Sequence, residues 1–140
     1  MKESCPLTMK YLLTIITIIS IILYCIPNTY KVQSEEFKKE QLIESLSTKY
    51  KVDYKLVNKI ITCESSMYSS AVNENISSTT GKVWSRDWGL LQINDYYHEK
   101  VMSKIGLDIH NEYDSLEYGI MLLSKVGTSP WKASSKCWLK

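Results

Sequence analysis

The hydrophobic pattern opens with an uncharged and almost wholly apolar run at residues 11–27. Lys2 and Lys10 precede this run, and that charge bias favours an orientation with its leading end inside the cell. The run is long for the core of a signal peptide and short for a membrane span, which needs about 20 apolar residues. We therefore predict a signal or membrane-anchor segment at residues 1–32, either cleaved or retained, followed by one folded domain at residues 33–140.

A predicted helix that begins after Asp53 carries the first candidate for chemistry. Asp53 is suited to cap it, and Val57, Ile60 and Ile61 recur at helical spacing. Glu64 continues the same stripe, so a carboxyl group stands where the pattern calls for an apolar side chain. Burial would disfavour its ionised form and raise its pKa, which a general acid at neutral pH requires. The alternative is a glutamate at a helix end that turns into solvent.

The rest of the pattern indicates a small, mainly helical domain. A first helix is predicted over residues 34–50 with Ser34 as its cap. Two later helices are predicted to begin at Asn94 or Asp95 and at Asn111 or Asp114. Residues 65–86 are rich in Ser, Thr and Asn and lack apolar periodicity, which predicts a loop or irregular hairpin. The predicted fold class is therefore mainly α, with a short irregular or β-like lobe and a hydrophobic helix before the domain.

Composition narrows the class of partner. The 140-residue chain has a formal net charge of only +2, with Lys and Glu interspersed, so it lacks the basic footprint of a nucleic-acid-binding protein. Cys63 and Cys137 are the two cysteines of the folded part, which suits one disulfide in an oxidising compartment, whereas two free buried thiols remain the alternative. With the scattered His98 and His110 they do not give metal-ligand spacing, so we expect no metal and no cofactor.

Two motifs occur in an order that is typical of one group of enzymes. Residues 64–71 read Glu-Ser-x(5)-Ala, and residues 89–94 read Gly-Leu-x-Gln-Ile-Asn. Together they resemble the lysozyme superfamily, both the bacterial soluble-lytic-transglycosylase (SLT) domains and the animal-type lysozymes. The resemblance covers about residues 53–138 and implies an α+β, lysozyme-like fold.

The resemblance implies cleavage of the β-1,4 bond between N-acetylmuramic acid and N-acetylglucosamine in peptidoglycan. Glu64 matches the acid that protonates the departing glycosidic oxygen. In a lysozyme this glutamate lies against a tryptophan in an apolar pocket. Trp131 is the matching residue here, because a bridge between Cys63 and Cys137 would bring the closing segment of the chain beside the Glu64 helix. Plain core packing of Trp131 is compatible with that role.

Further substrate contacts follow from the same resemblance. Gln92, Ile93 and Asn94 match the stretch that lines the sugar cleft in the family. The side-chain amide of Gln92 both donates and accepts, which suits an N-acetyl group or a sugar hydroxyl. Tyr97 is expected to present an aromatic face to a sugar ring, although one of the pair Tyr96 and Tyr97 would equally well belong to the core.

Two more candidates keep a structural alternative. Ser65 lies next to the acid and is expected to hydrogen-bond to it or to the substrate, or else only to satisfy the helix backbone. Tyr118 lies in a segment, residues 111–123, that resembles the third family element; it either reaches the catalytic carboxyl or is a buried tyrosine with its hydroxyl satisfied. The Ala-Tyr-Asn segment common near the end of lytic transglycosylases is absent, and residues 131–135 stand in its place.

Asp87 distinguishes two mechanisms. Retaining hydrolysis uses two carboxyl groups about 5 Å apart, and animal-type lysozymes carry the second one at the position of Asp87, two residues before Gly89. Lytic transglycosylases use one glutamate: the C6 hydroxyl of muramic acid attacks in place of water, and a 1,6-anhydro sugar results. Arg86 is placed to occupy the Asp87 carboxylate, and an aspartate at such a turn is also commonly structural. The Glu-Ser-Ser sequence and the single exported domain favour lytic transfer.

The sequence therefore predicts a peptidoglycan-cleaving muramidase, in the first place a lytic transglycosylase. Its expected partners are the glycan strands of peptidoglycan, and the membrane if residues 1–32 are retained. We expect a monomer that is exported, extracellular or periplasmic, and anchored to the outer face of the cytoplasmic membrane if uncleaved. A glycan-binding module without turnover is a further alternative, which the presence of Glu64 disfavours.

Overall fold

The computed structural model describes residues 7–140, without the side chains of residues 7–10, 12, 13 and 25–28. The described chain divides into two compact units, with the boundary between Gln41 and Leu42. The boundary expected between residues 32 and 33 stays a prediction.

The first element is one long helix, α1, at Leu7–Tyr50. The separate helix predicted to begin at Ser34 is therefore wrong: the Ser34 hydroxyl donates to the carbonyl of Lys31 (2.8 Å) within a continuous helix and caps nothing. The stretch Thr14–Tyr50 is long and apolar enough to cross a membrane by length and composition alone, and its most apolar window has a mean hydropathy of 1.6. That finding is compatible with a signal sequence or an anchor. Lys2, which supported the predicted orientation, lies outside the described residues.

The second unit contains the remaining helices and a small sheet. In chain order these elements are α2 (Tyr54–Ser65), β1 (Val72–Ile76), β2 (Val83–Trp88), β3 (Ile93–Asn94), α3 (Asp95–Lys104), α4 (Glu112–Val126), a 3₁₀ segment (Ser129–Ser134) and α5 (Ser135–Trp138). The three strands pair antiparallel in the order β1-β2-β3. A mainly helical domain with a short β lobe was predicted, and the structure confirms it.

The helix starts follow from the residues that cap them. The Asp53 carboxylate accepts from the backbone N–H of Lys55 (2.9 Å), and the Asn111 side chain accepts from the N–H groups of Tyr113 and Asp114. Each cap satisfies backbone donors that the first helical turn leaves free. Asn94 precedes α3 without a side-chain cap bond.

The core of this unit includes residues of the α2 stripe, of α4 and of the loop before β3. Val57, Ile60 and Ile61 are fully buried, as the stripe predicts. The loop approaches α4 at Gly119, where a Cβ would lie 2.6 Å from Cδ1 of Leu91. A larger residue at position 119 would therefore push this loop away. This close packing fixes the segment that carries the second family motif.

A disulfide joins α2 to α5. Cys63 in α2 is bonded to Cys137 in α5 across a separation of 74 residues, so the alternative of two free thiols is wrong. Closing a loop of this length contributes about 4 kcal/mol in the chain-entropy model. Because Cys63 precedes Glu64 directly, the bond also brings the end of the chain beside the candidate acid.

A carboxylate that sequence reasoning did not single out lies under the end of α1. Glu117 on α4 is 9% exposed and accepts hydrogen bonds from Lys49 Nζ and from the Tyr50 hydroxyl (2.7 Å). These two donors lower the pKa of Glu117 below its ordinary value, against the opposing effect of burial. The charged group is thus paired, as a buried carboxylate must be to remain ionised.

Candidate active site

One groove brings most of the predicted site together, and its volume is about 360 Å³. The predicted residues that line it are Glu64, Asp87, Gln92, Ile93, Asn94, Tyr97 and Trp131. Its other lining residues, which the sequence did not indicate, are His98, Leu122, Pro130 and Ala133. Ser65 and Tyr118 are not among the lining residues.

Glu64 lies in the wall of this groove, in the last turn of α2. The helix ends directly after it, where Ser66 takes the left-handed conformation with φ of 51°. The side chain is half-buried, and burial raises the pKa of its carboxyl above the ordinary value. The hydrogen bond from Ser134 lowers this pKa, and the negative charge of Asp87 raises it. The net direction is upward, which keeps a proton on Glu64 at higher pH than on an exposed glutamate.

The segment that ends the chain supports this carboxyl. The Ser134 hydroxyl donates to Oε1 of Glu64, and the indole N–H of Trp138 donates to the Ser134 oxygen (3.1 Å). Trp131 is buried, and its indole N–H donates to the carbonyl of Leu91 (2.8 Å). Trp131 is therefore both a wall of the groove and part of the core.

Asp87, the candidate second carboxylate, is held by amides. Its Oδ2 accepts from Asn75 Nδ2 (2.9 Å) and its Oδ1 accepts from Asn94 Nδ2 (2.7 Å). The predicted contact with Arg86 is wrong, since that guanidinium pairs with Glu74 across the β1–β2 ladder at 3.0 Å. Both oxygens of the Asp87 side chain are therefore engaged by neutral amide donors. The groove thus contains a half-buried carboxyl and a hydrogen-bonded carboxylate.

The amide of Gln92 is engaged within the protein. Its Nε2 donates to the carbonyls of Gly89 (2.7 Å) and Ala71 (3.2 Å), and its Oε1 accepts from Asn73 (2.6 Å). The backbone of Gln92 is itself left-handed, with φ of 50°. These bonds hold the tight turn between β2 and β3 in place. Gln92 therefore lines the groove, and the polar atoms of its side chain form hydrogen bonds within the protein.

Ile93 and Asn94 follow in β3 and have different surroundings. Ile93 is buried and packs against the position of Gly119. Asn94 donates to the hydroxyl of Ser85 (2.9 Å) as well as to Asp87, and its Oδ1 is buried with no hydrogen-bond partner among the described residues. Asn94 therefore positions the Asp87 carboxylate through its Nδ2, while its Oδ1 is an acceptor without a partner among the described residues.

Three further predicted residues, Ser65, Tyr118 and Tyr97, differ in their relation to the groove. The Ser65 hydroxyl donates to the carbonyl of Ile61 (3.1 Å), which is the backbone-satisfying arrangement. Tyr118 is buried, and its hydroxyl lies 2.9 Å from Nδ1 of His98. Burial lowers the pKa of His98 and so favours a neutral ring in the groove. Tyr97 is well exposed.

No group of three His, Cys, Asp or Glu side chains suited to a metal ion is found in the described part of the chain.

Sequence reasoning missed Asn75, His98 and Ser134. Asn75 and Ser134 lie outside both motifs, and their roles depend on contacts that span 12 and 70 residues. His98 follows Tyr97 at the start of α3, and no local pattern marks it as a groove residue. Only Ser134 had an indirect indication, because it lies between Trp131 and Cys137, both of which were expected near Glu64.

Comparison with known proteins identifies the family of the chain. No curated protein and no solved structure matches the chain at a significant level. The sequence matches the family described as the Transglycosylase SLT domain over residues 41–131, which is more than half of the chain. The matched span contains Glu64 and Asp87 and ends at Trp131, before the disulfide partner Cys137. The chain therefore belongs to the Transglycosylase SLT domain family, which in general comprises lytic transglycosylases acting on peptidoglycan.

Proposed function

We propose that this protein is an exported lytic transglycosylase that cleaves the β-1,4 bond between N-acetylmuramic acid and N-acetylglucosamine, with Glu64 as its acid and base. The observation that carries the proposal is the position of Glu64: a half-buried carboxyl with a raised pKa in the wall of a groove. A protonated carboxyl in such a place can donate to a glycosidic oxygen.

The reaction proceeds in two proton transfers at one carboxyl. Glu64 protonates the glycosidic oxygen as the bond to the muramic-acid C1 breaks, which releases the N-acetylglucosamine side as an alcohol. The resulting Glu64 carboxylate then removes the proton from the C6 hydroxyl, whose oxygen bonds to C1 and closes the 1,6-anhydro ring. Glu64 ends protonated again, so no water and no second reactant is consumed.

The surroundings of Glu64 suit both halves of this cycle. Burial and the nearby Asp87 charge favour the protonated state that starts the reaction. The Ser134 hydroxyl donates to the carboxylate that exists after the first transfer and so stabilises it. Burial and Asp87 thus favour the proton donor of the first transfer, and the Ser134 hydroxyl favours the proton acceptor of the second.

A second candidate, retaining hydrolysis, is favoured by the surroundings of Asp87. A lysozyme pairs an acid in an apolar pocket with a carboxylate that remains ionised in a polar, hydrogen-bonded environment. Asp87 lines the groove of Glu64 and accepts hydrogen bonds from Asn75 and Asn94. In this mechanism Asp87 stabilises positive charge at C1 or bonds to it, and water completes the cleavage. The family membership favours lytic transfer, so hydrolysis is the alternative.

Mass spectrometry of peptidoglycan digested by the purified protein tests the proposal. We expect 1,6-anhydro-muramic ends in the products of the wild type. The matched control is Glu64→Gln, whose amide keeps the shape of the side chain and removes the proton donor. We expect its rate to fall by roughly 10² to 10⁴. Reducing muramic ends would overturn lytic transfer in favour of hydrolysis. An absence of clearing in a zymogram of embedded cell walls would show a binding module without turnover.

The proposed location outside the cytoplasm is supported by the apolar helix near the N-terminus and by the disulfide. Sequencing the N-terminus of the protein recovered from cells distinguishes a cleaved leader from a retained anchor. A mature N-terminus near residue 33 would show cleavage, and an intact N-terminus in the membrane fraction would show an anchor. Size-exclusion chromatography of the same material tests the expected monomer.

A further inference from the structure

A second cavity lies between α2 and α5, and its volume is about 470 Å³. We call it the α2–α5 cavity. Its lining residues come from α2, from α5 and from Lys140, and none of them lines the groove that contains Glu64. The proposed cleavage of the glycan therefore gives this cavity no role.

Aromatic rings and the disulfide form the apolar part of the α2–α5 cavity. The Tyr54 ring and the Trp138 indole line it, together with the bonded pair Cys63 and Cys137. The indole of Trp138 is held in place because its N–H donates to the carbonyl of Trp131 (3.2 Å). Rings that are already held lose little conformational freedom when a small apolar group packs against them.

The charged part of the cavity is positive. Lys55, Lys59 and Lys140 line it and are exposed, and no Asp or Glu side chain of the described residues does so. Nζ of Lys59 donates to the carbonyl of Lys140 (2.8 Å), whereas Lys55 has no ion pair with a described carboxylate. The lining stays net positive even if a main-chain carboxylate at Lys140 is counted. It therefore attracts an anionic group.

Asn58 adds an unsatisfied acceptor to the wall. Its Nδ2 donates to the Tyr54 hydroxyl (3.3 Å), but its Oδ1 is buried with no hydrogen-bond partner among the described residues. Asn94 Oδ1 is the other such atom in the described part of the chain, and Asn94 lines the groove. A buried acceptor without a donor costs free energy, which a ligand N–H that reaches it restores.

We propose that the α2–α5 cavity binds the carboxyl-terminal end of a peptidoglycan stem peptide. This inference rests on the proposed function, which makes peptidoglycan the substrate. Stem peptides that end in D-alanine present a methyl group, a peptide N–H and a carboxylate. The methyl group fits the rings of Tyr54 and Trp138, and the N–H fits Oδ1 of Asn58. The carboxylate fits the lysines.

A separate peptide site changes how the protein stays on its substrate. Two contacts with one polymer raise the effective concentration of each site for the other, so the protein remains bound between cleavage events. Because the cavity and the groove share no lining residue, the peptide contact does not compete with the glycan.

An NMR titration with a short D-alanyl peptide tests this inference. The probe is N-acetyl-D-alanyl-D-alanine, added to the full-length wild-type protein in detergent. The reporter is the indole N–H resonance of Trp138, assigned by its loss in Trp138→Phe. It should shift as the probe is added. The indole resonance of Trp84 in β2, which does not line the cavity, should stay in place.

Variants on both partners test the charge contact. Lys55→Gln should weaken binding of the probe roughly two- to fivefold, since one exposed charge pair is lost. The matched control is Lys100→Gln, which removes the same charge from an exposed position in α3 outside the cavity and should bind like the wild type. The C-terminal amide of the probe should bind the wild type more weakly than the acid does, and Lys55→Gln should weaken its binding no further.

The outcomes separate this inference from its alternatives. A Trp138 resonance that does not move, or equal affinity of Lys55→Gln and the wild type for the probe, would overturn it. N-acetyl-L-alanyl-L-alanine stands for an ordinary protein C-terminus and should bind more weakly than the D-form. Equal or tighter binding of the L-form would overturn the assignment to stem peptides. The probe has no glycosidic bond, so this result is independent of whether the protein cleaves peptidoglycan, and the two proposals fail separately.

Discussion

The hydroxyl of Ser134 donates a hydrogen bond to Oε1 of Glu64, 70 residues earlier in the chain. The same oxygen of Ser134 accepts from the indole N–H of Trp138, which follows Cys137 directly. These two hydrogen bonds form a relay from Trp138 through Ser134 to Glu64. Cys137 is bonded to Cys63, and Cys63 precedes Glu64, so one disulfide holds the two ends of this relay close together. The segment at residues 134–138 is thereby part of the site proposed for proton transfer, although it lies beyond the span that matches the family.

Replacing Ser134 by Ala should move the alkaline limb of the pH profile to higher pH. The Ser134 hydrogen bond stabilises the ionised form of Glu64 and lowers its pKa, so its removal raises that pKa further. Because the acid must be protonated in the free enzyme, the limb of kcat/KM follows this pKa upward. Trp138 keeps a second acceptor, the carbonyl of Trp131 (3.2 Å), so the fold should persist.

The control for this experiment is Ser135→Ala, which removes a neighbouring hydroxyl that makes no hydrogen bond in the described part of the chain. Its pH profile should match the wild type. An unchanged alkaline limb in Ser134→Ala, or a shift to lower pH, would show that the relay does not control the Glu64 proton.

Replacing Asp87 by Asn should move the same limb in the opposite direction. The negative charge of Asp87 raises the pKa of Glu64, so removing that charge lowers it, and activity at high pH should be lost earlier. Under lytic transfer we expect the maximal rate to fall by about tenfold or less, far short of the loss in Glu64→Gln. Steady-state rates across pH for the two variants, measured side by side, check both statements. A loss as large as that in Glu64→Gln would support the two-carboxylate mechanism instead.

The sequence predicts the parts of this site that depend on local spacing. The stripe that ends in Glu64 repeats every three or four residues, and the caps Asp53 and Asn111 bond within their own first turns. A separate helix from Ser34 was predicted from a local cap, but the chain is helical on both sides of it. A serine inside a helix can bond to the preceding turn, as this one does.

The contacts around the two carboxyl groups were not predictable in the same way. Asn75 and Ser134 reach Asp87 and Glu64 only once strands and helices have packed, and no sequence period records such contacts. The family motif indicated that Gln92 lines the groove. It did not reveal that the Gln92 amide bonds to Gly89 and Ala71 within the loop.

Removing the disulfide should destabilise the domain and loosen the relay. In a background with Cys5 and Cys25 replaced by Ser, the further change of Cys63 and Cys137 to Ser should lower the free energy of unfolding by about 4 kcal/mol, because a loop of 74 residues is no longer closed. Chemical denaturation followed by circular dichroism measures this difference. A reducing agent should lower the denaturation midpoint of the background protein and leave that of the double variant unchanged. Equal midpoints for the two proteins would show that the bond contributes nothing to stability.

Glu117 should make the domain sensitive to acid. Hydrogen bonds from Lys49 and Tyr50 lower its pKa in the folded state below the ordinary 4.5. A group with a depressed folded pKa contributes its full stability above the unfolded pKa and loses it as pH falls through the folded value. Wild-type stability should therefore fall steadily once pH drops below the ordinary carboxyl range. Glu117→Gln should be less stable at neutral pH, and its melting temperature should depend less on pH in that acidic window.

The control is Glu44→Gln, which changes an exposed carboxylate of the same unit and should reproduce the wild-type dependence of melting temperature on pH. Parallel curves for Glu117→Gln and the wild type would show that the ion pair does not respond to pH as its geometry indicates.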